Sequence, residues 1–283
     1  MRTGPPPKRR RLGPLRGLGF ARWMPVVLAA LLLAIAGGCG LGSDPGPESR
    51  SSKEPTPQGT SSEEVAAAVA KLLDDSFRIS GSFGTKIEEV EASPAVDSFV
   101  TQQPDGIAFD GEYERAGRFV VEPKGGPTLT FYDGDVYATT AGGAAARLDA
   151  DDSDRQALAD VPALLEASVE RAALKEVGVE ELAGSQVRHY SGTTDGTALR
   201  DAYARASSFA QVPPPDEVLA VEGARADFYV DEATGDLVRQ TEEASLVLDF
   251  GELGLGADGI ARVVLTRELD FTDHGDEIVV LRP

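Results

Sequence analysis

Residues 131–139 read Phe131-Tyr132-Asp133-Gly134-Asp135-Val136-Tyr137-Ala138-Thr139. Aromatic and β-branched residues lie on both sides of the Asp-Gly pair, and such residues favour extended backbone. Aspartate and glycine tolerate the backbone angles that a two-residue hairpin turn requires. The segment therefore predicts two antiparallel strands joined by a tight turn.

The chain on either side of this hairpin repeats the same pattern. From 77 to 140, apolar residues tend to alternate with polar ones, and turn signals at 104–106 and 124–127 separate the runs. The alternation returns at 187–190 and again from 226 to 280. Alternation with a period of two residues is typical of strands that bury one face. These segments predict an antiparallel meander in two blocks.

Three segments have apolar residues at helical spacing instead. The first covers 61–75 and opens with the capping serine Ser61, the second covers 151–177 with a new helix starting at Pro162, and the third covers 196–208. Strands in two blocks around helices predict an α+β fold. We expect a curved antiparallel β-sheet, a half-barrel of about nine to eleven strands, wrapped over about three α-helices.

The N-terminal residues have the organisation of a bacterial lipoprotein signal. A head at 1–25 contains basic residues and no acidic one, and an apolar run follows at 26–36. That run is too short to cross a membrane as a helix, which takes about 20 residues. Two glycines then precede Cys39, the single cysteine of the chain. We predict a signal peptide at 1–38 and lipidation at Cys39; the alternative is a plain secretory signal that leaves Cys39 as a free thiol.

The residues after Cys39 divide into a tether and a folded domain. Gly, Pro and Ser dominate 39–60, a composition that cannot bury enough apolar surface to fold. We therefore expect a flexible tether at 39–60 and a single domain at 61–283. The single cysteine, Cys39, precedes that domain, which therefore has no disulfide and depends on its apolar core.

Charge limits the partners of the domain. The chain has 47 acidic residues against 27 basic ones, a formal net charge of −20, and every acidic residue follows position 38. Such a surface repels phosphate backbones and anionic lipid headgroups. We expect no nucleic acid partner, and we expect membrane attachment through acyl chains on Cys39, on the extracytoplasmic face of the cell membrane.

Residue types that carry enzyme chemistry are sparse. His189 and His274 are the two histidines, and neither has a second ligand at metal-binding spacing. The acidic run from Asp149 to Asp154 departs from a calcium loop, because position six would be Asp154 where glycine is needed. We predict no catalytic residue, no metal and no cofactor, and hence a protein that is not an enzyme.

The order of these elements is similar to that of a known group of lipoproteins. A lipidation signal, a Pro/Ser tether, a helix, a meander containing 131–139, a Leu-rich helical insert and final strands ending at 269–275 resemble the mycobacterial LppX/LprA/LprF/LprG lipoprotein family. The resemblance implies a lipoprotein-carrier fold, in which a curved half-barrel and helices enclose a pocket for acyl chains. The Ala- and Gly-rich composition fits a high-GC actinobacterium.

Our leading hypothesis is an extracytoplasmic lipoprotein that binds lipid or glycolipid acyl chains between sheet and helices, for transport or presentation. Burial of methylene groups would supply the affinity. Four small residues, Ala108, Ala138, Ala226 and Ala244, could open the interior, or could simply pack under helices. The expected ligand-binding residues are the aromatic strand positions Phe109, Phe119, Phe131 and Phe228 and the helical positions Leu158, Val161, Leu164, Leu165 and Val169.

The alternative hypothesis is a surface-anchored interaction or structural lipoprotein with a solid core and a protein partner. In either case we expect a monomer, and a carrier would also fit a membrane transporter partner. A cavity in the core would favour the first hypothesis, and an exposed apolar patch over a filled core would favour the second.

Overall fold

One antiparallel sheet runs through the residues that the computed structural model describes, which are 59–89, 106–115, 117–149, 152, 156–206, 219–249, 251 and 259–283. Within these residues the sheet has eleven strands. The strands are β1 (Phe77–Glu89), β2 (Gly106–Glu114), β3 (Arg118–Pro123), β4 (Thr128–Tyr132), β5 (Asp135–Thr139), β6 (Ala146–Arg147), β7 (Ala173–Leu182), β8 (Ser185–Thr194), β9 (Leu219–Asp231), β10 (Leu237–Asp249) and β11 (Ile260–Thr272). The helices are α1 (Gly59–Leu73), α2 (Val161–Glu170) and α3 (Thr197–Ala206), and a 3₁₀ turn covers Ala157–Ala159.

The sheet order follows the chain except at one place. It runs β6-β5-β4-β3-β2-β1-β11-β10-β9-β8-β7, so that the first and last strands pair at the centre. The edges, β6 and β7, are not joined, and the sheet is open. The predicted α+β class, with one antiparallel sheet of nine to eleven strands and three helices, is confirmed.

One face of the sheet, here called the inner face, carries the large apolar side chains. The register places Phe83 of β1 beside Ile107 of β2 and Arg267 of β11, and Ile79 beside Phe271. In strands, paired residues share a face, so these rows lie together under the helices. Val65, Val69 and Leu72 of α1 are among the buried residues that complete this core.

The helices lie against one half of the inner face. Helix α1 packs on β7, β9 and β10, helix α3 packs on β9 and β10, and helix α2 packs on α1 and α3. The strands from β1 to β5 are therefore the part of the inner face over which a gap can remain.

The segment 151–177 is shorter as a helix than its spacing predicts. Helix α2 ends at Glu170, and strand β7 begins at Ala173. Beyond Leu174 the apolar residues do not continue a buried helical face, because Val177 and Val179 are exposed. The helical prediction beyond 170 is therefore wrong, and this segment pairs with β8 through a β-bulge between Glu176 and Gly178. Pro162 does lie in the first turn of α2, as predicted.

Helix α1 also differs from prediction at its ends. It begins at Gly59 and ends at Leu73, so Ser61 lies inside the helix instead of capping it. The described part of the chain contains no helix that is both long and apolar enough to span a membrane. The predicted signal peptide, Cys39 and residues 40–58 of the tether lie outside the described residues.

The small residues of the sheet allow close packing of α3. Gly196, at the start of this helix, has a φ of +64°, and a Cβ on it would lie 2.7 Å from the Cβ of Ala224 and 3.5 Å from that of Ala244. Ala226 and Ala244 are fully buried in the core. They pack under helices, and Ala108 pairs with Ser82 on the outer face. Opening the interior is therefore not the role of these three alanines.

Candidate functional site

A cavity of about 280 Å³ lies between the β1–β4 part of the sheet and the helical layer. Its floor is made by inner-face side chains, because alternate residues of each strand point to the same side. Its roof comes from the 3₁₀ turn and the last residues of α3. The floor includes Phe83, Phe109, Val121 and Leu129, and the roof includes Leu158, Ala159, Tyr203 and Ala206.

The cavity wall is almost entirely apolar. Among the described residues that line it, the polar side chains are Thr85, Gln156 and Tyr203, and none is a carboxylate, a histidine or a cation. Burial raises the pKa of Tyr203 above its ordinary value, so its phenol stays protonated and neutral. The wall can shelter apolar groups and offers no acid–base pair for catalysis.

A second depression, here called the groove, adjoins the cavity. Its volume is about 600 Å³, and it lies between β3–β5 and the helices α2 and α3. Gln156 lines both spaces. The groove has aromatic residues on its sheet side, where the rings of Phe119 and Phe131 stack with centroids 4.0 Å apart. Charged residues such as Glu166 and Arg205 line the rest, so the groove is polar where the cavity is apolar.

The structure distributes the nine predicted ligand-binding residues over three environments. Phe109 and Leu158 line the cavity. Phe119, Phe131 and Leu164 line the groove. The remaining four, Val161, Leu165, Val169 and Phe228, are buried in the core.

Sequence reasoning did not single out several residues of the cavity wall. Phe83, Val121 and Leu129 occupy alternate strand positions, so period-two spacing places them on a buried face without saying that a cavity adjoins them. Tyr203 follows Leu199 by four residues on α3, which is the signal of a buried helical face. Its position over the cavity depends on how α3 packs.

The histidine in the sheet lies on the outer face, away from the cavity. His189 pairs with Tyr229, while its neighbour Tyr190 pairs with the core residue Phe228. Its Nε2 lies 2.9 Å from a carboxylate oxygen of Asp227, and its Nδ1 lies 3.3 Å from one of Glu180. Within the described residues, no three His, Cys, Asp or Glu side chains are grouped so as to hold a metal ion.

Asp227 is the best-connected carboxylate of this outer-face cluster. Its partial burial raises its pKa, but hydrogen bonds with Ser191, His189 and Arg225 outweigh that effect and hold the pKa below its ordinary value. The Arg225 guanidinium donates to Asp227 at 3.0 Å. The carboxylate therefore stays charged and ties β8 to β9.

Comparisons with known proteins find similarity in structure only. No family model matches the chain, and no curated protein matches its sequence. The structure is similar to the lipoprotein LppX of Mycobacterium tuberculosis, with 12% identity over 77% of this chain and 98% of that chain and a TM-score of 0.38. It is also similar to LprF of Mycobacterium bovis, with 11% identity, 78% and 96% coverage and a TM-score of 0.39.

A LolA superfamily protein of Nitrosomonas europaea is a further match, with 7% identity over 77% of this chain and 94% of that chain and a TM-score of 0.29. LppX and LprF belong to the group of lipoproteins that the order of elements in the sequence resembles. At these identities and TM-scores, the similarity extends to no ligand, activity or partner.

Proposed function

We propose that this protein is an extracytoplasmic lipoprotein that binds the apolar chain of a lipid or glycolipid in the cavity between β1–β4 and the helical layer, for lipid transport or presentation. The observation that carries the proposal is the apolar wall of that cavity, in which Phe83, Phe109 and Leu158 face one another across an unfilled space. Each methylene group buried there contributes about 0.8 kcal/mol, so a chain binds without a polar contact.

The volume indicates how much of a ligand enters. Ligand pockets commonly measure about 300–1,000 Å³, and the cavity of about 280 Å³ lies just below this range. We expect a single acyl chain in the cavity, with the rest of the ligand toward the adjoining polar groove.

Attachment to the membrane is part of the same proposal. Acylation of Cys39 would hold the domain at the cell membrane on a tether of about 20 residues, long enough for the cavity to approach the bilayer. The acidic surface keeps the domain itself from binding anionic headgroups. A monomer that exchanges its ligand with a membrane transporter fits this arrangement.

The cavity also favours binding over the two rival functions. An interaction lipoprotein with a filled core needs no apolar space between its layers. An enzyme needs nucleophiles, acids or bases that converge on a cleft, and the cavity wall described above has none of these.

The test is to look for lipid that co-purifies with the protein. The full chain carrying Cys39→Ser, so that no attached acyl group competes for the cavity, is purified under mild conditions and measured by native mass spectrometry, followed by organic extraction. We expect one bound single-chain or acyl-bearing species per protein molecule. A ligand-free mass that persists after incubation with membrane lipids would refute the proposal.

A further inference from the structure

Three buried polar side chains interrupt the apolar inner face near the centre of the sheet. Gln240 and Glu242 lie on β10 and Arg267 lies on β11, with exposed fractions of 0%, 4% and 1%. The register places Glu242 directly opposite Arg267. Burial of charged and amide groups in a core costs free energy unless they are hydrogen-bonded, so this cluster needs an explanation.

The arginine uses only one of its three nitrogens. Its Nη2 donates to a carboxylate oxygen of Glu242 at 2.6 Å, to the hydroxyl of Ser168 at 2.8 Å and to the carbonyl oxygen of Leu164 at 3.5 Å. Its Nε and Nη1 are buried without a hydrogen-bond partner in the described structure, and so are both amide atoms of Gln240. The cluster therefore has N–H donors in excess of the acceptors around it.

The cluster lies behind the cavity wall, and none of its three residues lines the cavity itself. Phe83, which lines the cavity, is the β1 partner of Arg267, and Cα atoms of paired antiparallel residues are about 4.5–5.5 Å apart. Phe109 is also in the cavity wall, and its ring lies over Gly81 of β1. The side chain of Leu269, the β11 partner of Gln240, lies over the same glycine. The rings of Phe83 and Phe109 stack with their centroids 5.5 Å apart in this part of the wall.

The charge of the cluster selects the kind of acceptor that can enter. Burial lowers the pKa of Arg267, and the carboxylate of Glu242 opposes that shift and already balances the guanidinium charge. A second anion would leave an unbalanced negative charge in the core, which is costly. A neutral carbonyl oxygen can accept N–H bonds without adding charge.

We propose that the free donors of Arg267 and Gln240 bind a neutral carbonyl oxygen of the ligand, such as that of an ester, when its chain fills the cavity. Because the rings of Phe83 and Phe109 are stacked in contact, they must move apart for the ester to reach these donors. This inference rests on the proposed function, because it places a specificity contact at the inner end of the same cavity. The chain supplies affinity by burial, and the ester oxygen distinguishes a neutral acyl ester from a plain hydrocarbon or a free fatty acid.

The test compares three probes of equal chain length. The apolar dye N-phenyl-1-naphthylamine is bound to the full chain carrying Cys39→Ser and is displaced by methyl decanoate, decane or decanoate. We expect methyl decanoate to bind about tenfold tighter than decane, the effect of hydrogen bonds to a charged donor. We expect decanoate to bind more weakly than the ester, because its charge must be buried.

A substitution then assigns the contact. Gln240→Met keeps the length of the side chain and removes its amide, and we expect it to weaken methyl decanoate about fivefold while decane is unchanged. Gln186→Met changes an exposed glutamine of β8 and serves as the matched control. Thermal unfolding of each variant checks that the fold is retained.

The outcomes separate this inference from the proposed function. Equal affinity of the wild-type chain for methyl decanoate and decane would overturn the ester contact without needing any variant, and would leave buried water as the partner of the free donors. An ester preference that survives in folded Gln240→Met would also overturn the assignment. Failure of every probe to displace the dye would overturn the ester site and the proposed cavity function together.

Discussion

Filling the cavity from its floor tests the proposed function most directly. Thr85 is half-buried on β1, its side chain shares the inner face with Phe83, and it lines the cavity. Thr85→Phe places an aromatic ring in the space that the ligand would occupy. Phenylalanine is well tolerated in strands, so the substitution suits the backbone of β1.

The size of the effect follows from the area that the ring takes from the ligand. Complete burial of a phenylalanine side chain is worth about 1.5–3 kcal/mol, and a ligand that loses an equivalent apolar contact loses a similar free energy. Since about 1.4 kcal/mol corresponds to a factor of ten, we expect the affinity for methyl decanoate to fall about 10- to 100-fold. The free energy of unfolding should stay within about 1.5 kcal/mol of that of the wild-type chain, because the ring fills a void that already exists.

Thr266 provides the matched control. It lies on β11, pairs with Gly84 of β1, and is exposed on the outer face. Thr266→Phe makes the same chemical change one strand away and on the opposite side of the sheet. Dye displacement by methyl decanoate is measured for both variants, with urea unfolding as the check on stability. Wild-type affinity in Thr85→Phe, or an equal loss in both variants, would refute the assignment of the cavity as the binding site.

Two further predictions concern buried and partly buried charges. The pKa of Asp227 is held below its ordinary value, so its carboxylate stabilises the fold above the unfolded pKa of about 3.9, and this contribution is lost as the pH falls through the folded pKa. Asp227→Asn should therefore lower the free energy of unfolding at pH 7, and this deficit should shrink on acidification below pH ~4. The control Asp110→Asn, at an exposed position, should change the free energy of unfolding little. A deficit of Asp227→Asn that is constant with pH would contradict the reasoning. Arg267→Met alone should lower the free energy of unfolding by about 3–5 kcal/mol, because it leaves the Glu242 carboxylate buried and unpaired. The double variant with Glu242→Met should recover most of that loss, as measured by urea unfolding. A double variant no more stable than the single one would show that the pair itself stabilises the fold.

The local sequence was sufficient for most elements, because helices and strands have periods that apolar residues display directly. The hairpin at 131–139 forms as predicted, with strands β4 and β5 and a turn at Asp133 and Gly134, both at positive φ. The same spacing rule failed at β7, an edge strand in which Leu174 is buried while Val177 and Val179 are exposed. Periodicity identifies an element only where its apolar residues line a buried face.

The residues of the candidate site were harder to predict from apolar spacing. Phe109 and Phe228 have similar patterns in the sequence, yet one lines the cavity and the other is fully buried in the core. The difference arises because the helices pack on β7–β10 and leave part of β1–β5 uncovered. Which half of a sheet is covered depends on contacts between residues far apart in the chain, and no local spacing records it.

By itself, the sequence determined the acidic charge, the α+β class and the positions of most strands and helices, since these follow from composition and from the short-range geometry of the backbone. Acyl attachment at Cys39 stays a prediction from the sequence. The tertiary structure alone decided that β1 pairs with β11, that a cavity remains over β1–β4, and that Gln240, Glu242 and Arg267 meet in the core. In the sequence, these three polar residues have the same parity as apolar residues of their strands, such as Leu246 on β10 and Leu265 on β11, so spacing alone places them on the inner face. Pairing between the strands and the packing of α2 brought them together, because the register between two strands is set by their pairing and not by the local spacing of either one.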